Sequence, residues 1–100
     1  MRRLFVTPEA RQDLREAKRW YEQQREGLGE AFQRAAESIF SQFQSRPLSF
    51  PPLVKPFHRA SLHRYPYQAL YRFNDEMVLI VMLFHTSRDP ATAFARLRAH

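Results

Sequence analysis

The sequence predicts an α+β fold in the order β-α-α-β-β-β, with an N-terminal helical hairpin packed on one face of a mainly antiparallel four-stranded sheet. Three observations carry this expectation. Between Pro8 and Arg46 run two amphipathic helical patterns, separated by Gly27-Leu28-Gly29, which holds the only two glycines of the chain. Tyr67, Ala69, Tyr71 and Phe73 alternate with Gln68, Leu70 and Arg72, the period of a half-buried strand. Met77 to Phe84 is apolar at every position, as expected of a central strand covered on both faces.

In chain order, Arg2 to Val6 reads as a short strand. Thr7-Pro8-Glu9-Ala10 then forms a helix start. Thr7 can cap, Pro8 suits the first helical position because its missing N–H would go unpaired anyway, and Glu9 favours the positive helix end. Ala10, Leu14, Ala17 and Tyr21 recur at helical spacing, with charged and amide residues between them. After the glycines, Leu28, Phe32, Ala35, Ala36, Ile39, Phe40 and Phe43 make one broad apolar stripe. Two amphipathic helices joined this tightly fold back on each other. Arg46-Pro47 ends the second, because a residue before proline avoids the helical region.

The segment 47–56 contains Pro47, Pro51, Pro52 and Pro56 and reads as an extended connector. His58 to Tyr65 alternates weakly and reads as a strand, which Pro66 interrupts. Asn74-Asp75 turns the chain into the apolar strand. That strand needs two neighbours: the strand before it, paired as a hairpin, and Arg2 to Val6 from the N-terminus. Asp89-Pro90 closes the β region, and Ala91 to Arg98 suits a short helix.

Residues 1–100 have the length of one domain. Nine Phe, four Tyr and one Trp supply a core without staples, and the absence of Cys excludes disulfides, thiolate metal sites and a thiol nucleophile. The four His lack metal-ligand spacing, so neither a metal nor any other cofactor is expected. Met-Arg-Arg-Leu-Phe-Val lacks the apolar run of a signal peptide, and the eight apolar residues at 77–84 are too few to span a bilayer. A cytoplasmic protein without membrane contact is expected.

The charge of +6 is unevenly spread. Residues 1–45 carry eight Lys/Arg and seven Asp/Glu, whereas residues 46–100 carry eight Lys/Arg against Asp75, Glu76 and Asp89. Such asymmetry points to a docking surface for an acidic partner or nucleic acid; a solvated basic surface is the plainer reading.

The succession Arg59…Leu62-His63-Arg64-Tyr65-Pro66-Tyr67-Gln68-Ala69-Leu70-Tyr71-Arg72, an apolar strand, then Phe84-His85-Thr86-Ser87-Arg88-Asp89-Pro90 resembles the RelE/ParE toxin superfamily. The likeness is closest to ParE-like plasmid stabilisation toxins. The opening strand, Thr7-Pro8-Glu9-Ala10…Asp13-Leu14…Ala17…Tyr21 and the glycine-flanked second helix fit the same pattern, so the likeness spans nearly the whole chain. It implies the β-α-α-β-β-β fold and a toxin of a type II toxin–antitoxin module. A cognate antitoxin would wrap the toxin and mask its active surface in a hetero-oligomer. ParE-like members inhibit DNA gyrase by binding. RelE-like members cut mRNA on the ribosome.

The residues permit both. Metal-independent RNA cleavage needs a base for the 2′-hydroxyl, cations for the phosphorane and an acid for the leaving oxygen. Arg59, Arg64, Arg72 and Arg88 can supply cations, and His85 or His63 can shuttle protons, which makes His85, Arg88 and Arg72 the catalytic candidates. RelE-like members also carry lysines along the strand after the helices and a Tyr or His near the C-terminus. Here Lys55 stands alone, the stretch Ala95 to Ala99 has no Tyr, and His100 is terminal. That departure favours the ParE-like reading, with Arg59, Arg64, Arg72, His85, Arg88 and Trp20 as binding candidates. A non-toxic basic nucleic-acid-binding module is a third reading, resting on charge alone.

Each candidate also has a structural reading. His85 can be a core-edge histidine bonded to the following turn, Arg88-Asp89 a surface ion pair of little worth, and Arg72 a solvated residue opposite Tyr71 and Phe73. Arg59 and Arg64 fall on opposite faces of a regular strand. Tyr65, Tyr67 and Tyr71 can stack bases, or simply fill the core. Trp20 can anchor a partner or cover the hairpin.

Overall fold

A computed structural model describes residues 1–100. The strands are β1 (Arg3–Val6), β2 (Pro52–Val54), β3 (Phe57–Ser61), β4 (Tyr67–Phe73) and β5 (Met77–His85). The helices are α1 (Pro8–Gln24), α2 (Leu28–Ser45) and α3 (Pro90–Leu97), with a 3-10 turn at Pro47–Ser49. The sheet order is β1-β5-β4-β3-β2; β1 runs parallel to β5 and every other pairing is antiparallel. The expected order and the central place of β5 both hold.

Two details differ from expectation. The sheet has a fifth strand, because Pro52 and Val54 of the proline-rich connector pair with His58 and Phe57. This strand is an edge, where a missing N–H costs no ladder bond. The strand expected at His58–Tyr65 stops at Ser61, and residues 62–66 form a turn in which Arg64 takes φ of 73°.

Local chemistry sets the helix ends. Thr7 accepts from the Ala10 N–H at 3.1 Å, and Pro8 opens α1. Gly27 takes φ of 91°, the left-handed conformation that turns α1 into α2. The Glu22 carboxylate closes the same turn, accepting from the N–H groups of Gly27 and Gly29.

α1 and α2 cover one face of the sheet. Phe32, Phe40, Phe43, Ala69, Tyr71, Val78, Ile80 and Leu83 are buried there. The rings of Phe43 and Tyr71 stack with centroids 3.8 Å apart, and the Tyr71 hydroxyl donates to the Pro47 carbonyl. Full burial pushes the Tyr71 pKa up to about 12. α3 covers the opposite face, where Phe57, Leu70, Val81, Met82, Ala93 and Leu97 form a second, smaller core. No helix is long and apolar enough to cross a membrane.

β5 is not regular. Leu70 pairs with Met82 but Tyr71 pairs with Ile80, so Val81 is an extra residue. Val78, Ile80 and Leu83 face the helical hairpin, while Val81 and Met82 both face α3. This bulge reverses the alternation, as bulges do. Without it Phe84 would point toward α1; with it, His85 does.

Candidate functional site

The bulge brings His85 under α1, where its ring meets the Tyr67 ring edge-on at 5.2 Å. Trp20, on α1, stands over the same place, 52% exposed and edge-on to Tyr21 at 5.0 Å. Trp20, Tyr67, His85 and Arg88 line two adjoining recesses of about 450 and 230 Å³. Tyr21, Pro66 and Ser87 complete the larger one, and Asp13 and Glu16 border the smaller.

The Ser87 N–H donates to His85 Nδ1 at 3.0 Å, so that nitrogen carries a lone pair and the neutral ring holds its proton on Nε2. Burial raises the Tyr67 pKa; Arg88 opposes the shift, and Asp13 and Glu16 reinforce it. Tyr67 is therefore a neutral phenol and a hydrogen-bond donor. The Tyr21 pKa is also raised, by burial first and then by Tyr67 and Tyr65.

Arg88 is exposed and its guanidinium bonds to nothing in the chain, whereas Asp89 accepts from Ala91 N–H and caps α3. The Arg88–Asp89 ion pair, one of the two readings the sequence allows, does not form. His85 bonds to Ser87, and its carbonyl accepts from the Arg88 N–H, so the core-edge reading of His85 holds in part.

Of the six residues expected to bind, the structure gathers Trp20, His85 and Arg88. Arg59 lies on the α3 side of the sheet, in a groove that Arg88 also borders. Arg72 donates to the His100 carbonyl at 2.9 Å and lies over the Phe57 ring at 5.7 Å, so this catalytic candidate fastens the chain end instead. Arg64 sits in the 62–66 turn and bonds to no other side chain. Tyr65 and Tyr67 pack against Phe32 and Tyr21 at the edge of the main core, and Tyr71 lies within it. No cluster of three or more His, Asp or Glu is placed to hold a metal ion.

Sequence reasoning passed over Asp13 and Arg96, which form a two-pronged ion pair between α1 and α3. Asp13 Oδ2 also accepts from the Leu83 N–H at 3.0 Å, and Arg96 reaches the Val81 carbonyl at 3.4 Å. The pair thus takes up backbone groups at the bulge, beyond the point where β1 ends. One signal was available: Asp13 lies three residues after Ala10 and four before Ala17, on the apolar stripe of α1. A carboxylate on a buried face demands a partner.

Chemically the site is suited to recognition. It offers aromatic surface, two donors (the Tyr67 hydroxyl and His85 Nε2–H) and the unpaired guanidinium of Arg88. A phosphoryl-transfer centre places cations around the reacting phosphate. Here Arg88 is the only cation lining either recess, and Asp13 and Glu16 border the smaller one.

A helical hairpin on a mixed sheet, with β1 running parallel to the central strand, is the architecture expected from the resemblance to the RelE/ParE toxin superfamily. Within it, the chain belongs to the ParE toxin family: the family model described as "ParE toxin of type II toxin-antitoxin system, parDE" matches residues 4–90. Among solved structures, a chain of the chromosomal ParDE TA system from P. aeruginosa superposes with a TM-score of 0.62. The two are 21% identical, over 85% of this chain and 96% of that one, a likeness of fold. No curated protein matches the sequence.

Proposed function

We propose that this toxin acts by binding a protein target, that the target is DNA gyrase, and that a cognate antitoxin neutralises it. The observation that carries the reading is the lone guanidinium of Arg88 beside the half-exposed Trp20, with carboxylates at the rim. Exposed Trp and Arg are the side chains most often found at the energetic centre of protein interfaces. The alternative, ribosome-dependent mRNA cleavage, has less support. Arg72 is engaged elsewhere, Arg64 sits apart in its turn, and His85 Nδ1 already accepts from Ser87.

The test is a supercoiling assay with purified gyrase. Inhibition by the wild-type protein, weakened in Trp20→Ala and Arg88→Ala, is expected. Unaltered supercoiling at excess toxin contradicts gyrase as the target. Codon-associated cuts in translated mRNA, abolished by His85→Ala with Arg88→Ala, would establish the alternative.

A further inference from the structure

On the sheet face opposite the helical hairpin, α3 leaves part of four strands uncovered. Leu53 of β2, Arg59 of β3, Gln68 of β4 and Phe84 of β5 line a groove of about 260 Å³ there, and Phe94 of α3 forms part of its wall. Arg88 also lines it. Three features mark its chemistry. Its apolar part is made by Leu53, Phe84, Ala93 and Phe94, the last 43% exposed. Neither Arg59 nor Arg88 has an ion-pair or hydrogen-bond partner for its side chain. No acidic residue lines the groove.

Two unpaired guanidiniums beside an apolar surface, in a groove that no carboxylate lines, are complementary to an acidic peptide. An apolar side chain would sit against Leu53, Phe84 and Phe94, and carboxylates before and after it would take the two forks. A nucleic-acid strand fits less well. Tracking a phosphate backbone takes a row of cations, whereas the groove holds two arginines, no lysine, and a volume suited to one or two side chains. We propose that this groove receives a short acidic segment of a partner protein, one apolar residue flanked by Asp or Glu, held by Arg59 and Arg88. If the partner is the antitoxin, that identification rests on the toxin reading above; the chemistry of the groove does not.

The test uses the full chain and a library of random decapeptides displayed on phage, followed by fluorescence anisotropy of the recovered peptides. Selection should enrich peptides with Asp or Glu on both sides of a Leu, Ile or Phe. Arg59→Ala should weaken them about tenfold, the usual effect of losing a charge-assisted hydrogen bond. Phe94→Ala should weaken them severalfold. Arg59→Lys should recover part of the affinity, and Trp20→Ala should leave it unchanged. Circular dichroism of Arg59→Ala should match wild type, since that side chain has no internal partner. Recovery of no peptide, recovery of peptides without acidic bias, or acidic peptides indifferent to Arg59→Ala would each overturn the proposal. So would tighter binding of a single-stranded oligouridine 12-mer than of any recovered peptide. Neither Arg59 nor Phe94 lines the Trp20 recesses, so peptide binding without gyrase inhibition, or the reverse, shows which of the two readings has failed.

Discussion

Asp13 illustrates how far one residue can reach. Its carboxylate, largely buried, holds Arg96 from the far end of the chain and also accepts from the Leu83 N–H. Removing either partner strands the other charge in a dry setting. Arg96→Ala and Asp13→Ala should therefore each cost about 3 kcal/mol, and the double variant less than the sum, measured by urea unfolding in a double-mutant cycle. Tyr71 makes a prediction about pH. Its pKa is about 12 in the fold and near 10 unfolded, so above pH 10 the unfolded state releases a proton that the native state retains. The contribution of Tyr71 should be constant well below pH 10 and cost about 2 kcal/mol of stability between pH 10 and 12, so Tyr71→Phe should show a smaller fall there. At the site itself, Trp20→Ala and Arg88→Ala should each reduce target affinity about tenfold or more, as central interface residues do. Both side chains are exposed, so their unfolding midpoints should stay near wild type.

The elements follow from local chemistry except where long-range geometry decides. The ends of α1, the glycine turn, the proline stop and the alternation of β4 were legible in the sequence, because each depends on neighbours a few residues apart. The bulge at Val81 was not. In a run apolar at every position, Met77 to Phe84, there is no polar mark to show where the alternation reverses, so the side to which His85 points could not be read. β2 was missed because a proline-rich segment carries no strand pattern and pairs only with its own hairpin partner. The crossing of α1 and α2 gives a sharper test. A Cβ at Gly29 would lie 2.7 Å from the Lys18 carbonyl, so Gly29→Ala must push the helices apart. The helix propensity gained is at most about 1 kcal/mol, and the steric cost is typically 1–3, so a net loss is expected in thermal melts. Gly27→Ala meets no atom within 4 Å, and its cost should come only from its left-handed backbone, about 1 kcal/mol.

Over the whole molecule, the concentration of positive charge in residues 46–100 is real, but its formal value overstates the free charge. Arg96 is neutralised by Asp13, and Arg72 is partly engaged through its bond to the His100 carbonyl. Six basic side chains of this half, Arg46, Lys55, Arg59, Arg64, Arg88 and Arg98, remain unpaired; of these Arg59 lies on the α3 face, Arg64 in the 62–66 turn and Arg88 between the two sheet faces. Charge counting along the chain could not distinguish these groups, since pairing depends on contacts such as Asp13–Arg96 that link distant positions. Docking through the unpaired arginines should weaken as ionic strength rises, most steeply below about 0.15 M, where exposed charges are least screened. An affinity insensitive to salt would shift the docking surface onto the apolar helix faces. The central claim is action by binding, and titration of purified gyrase with this protein in a supercoiling assay tests it most directly. Inhibition should rise with toxin concentration, saturate as the enzyme becomes fully occupied, and require about tenfold more of the Arg88→Ala protein. Full supercoiling activity at a large excess of toxin, with translated mRNA cut in parallel, would contradict it.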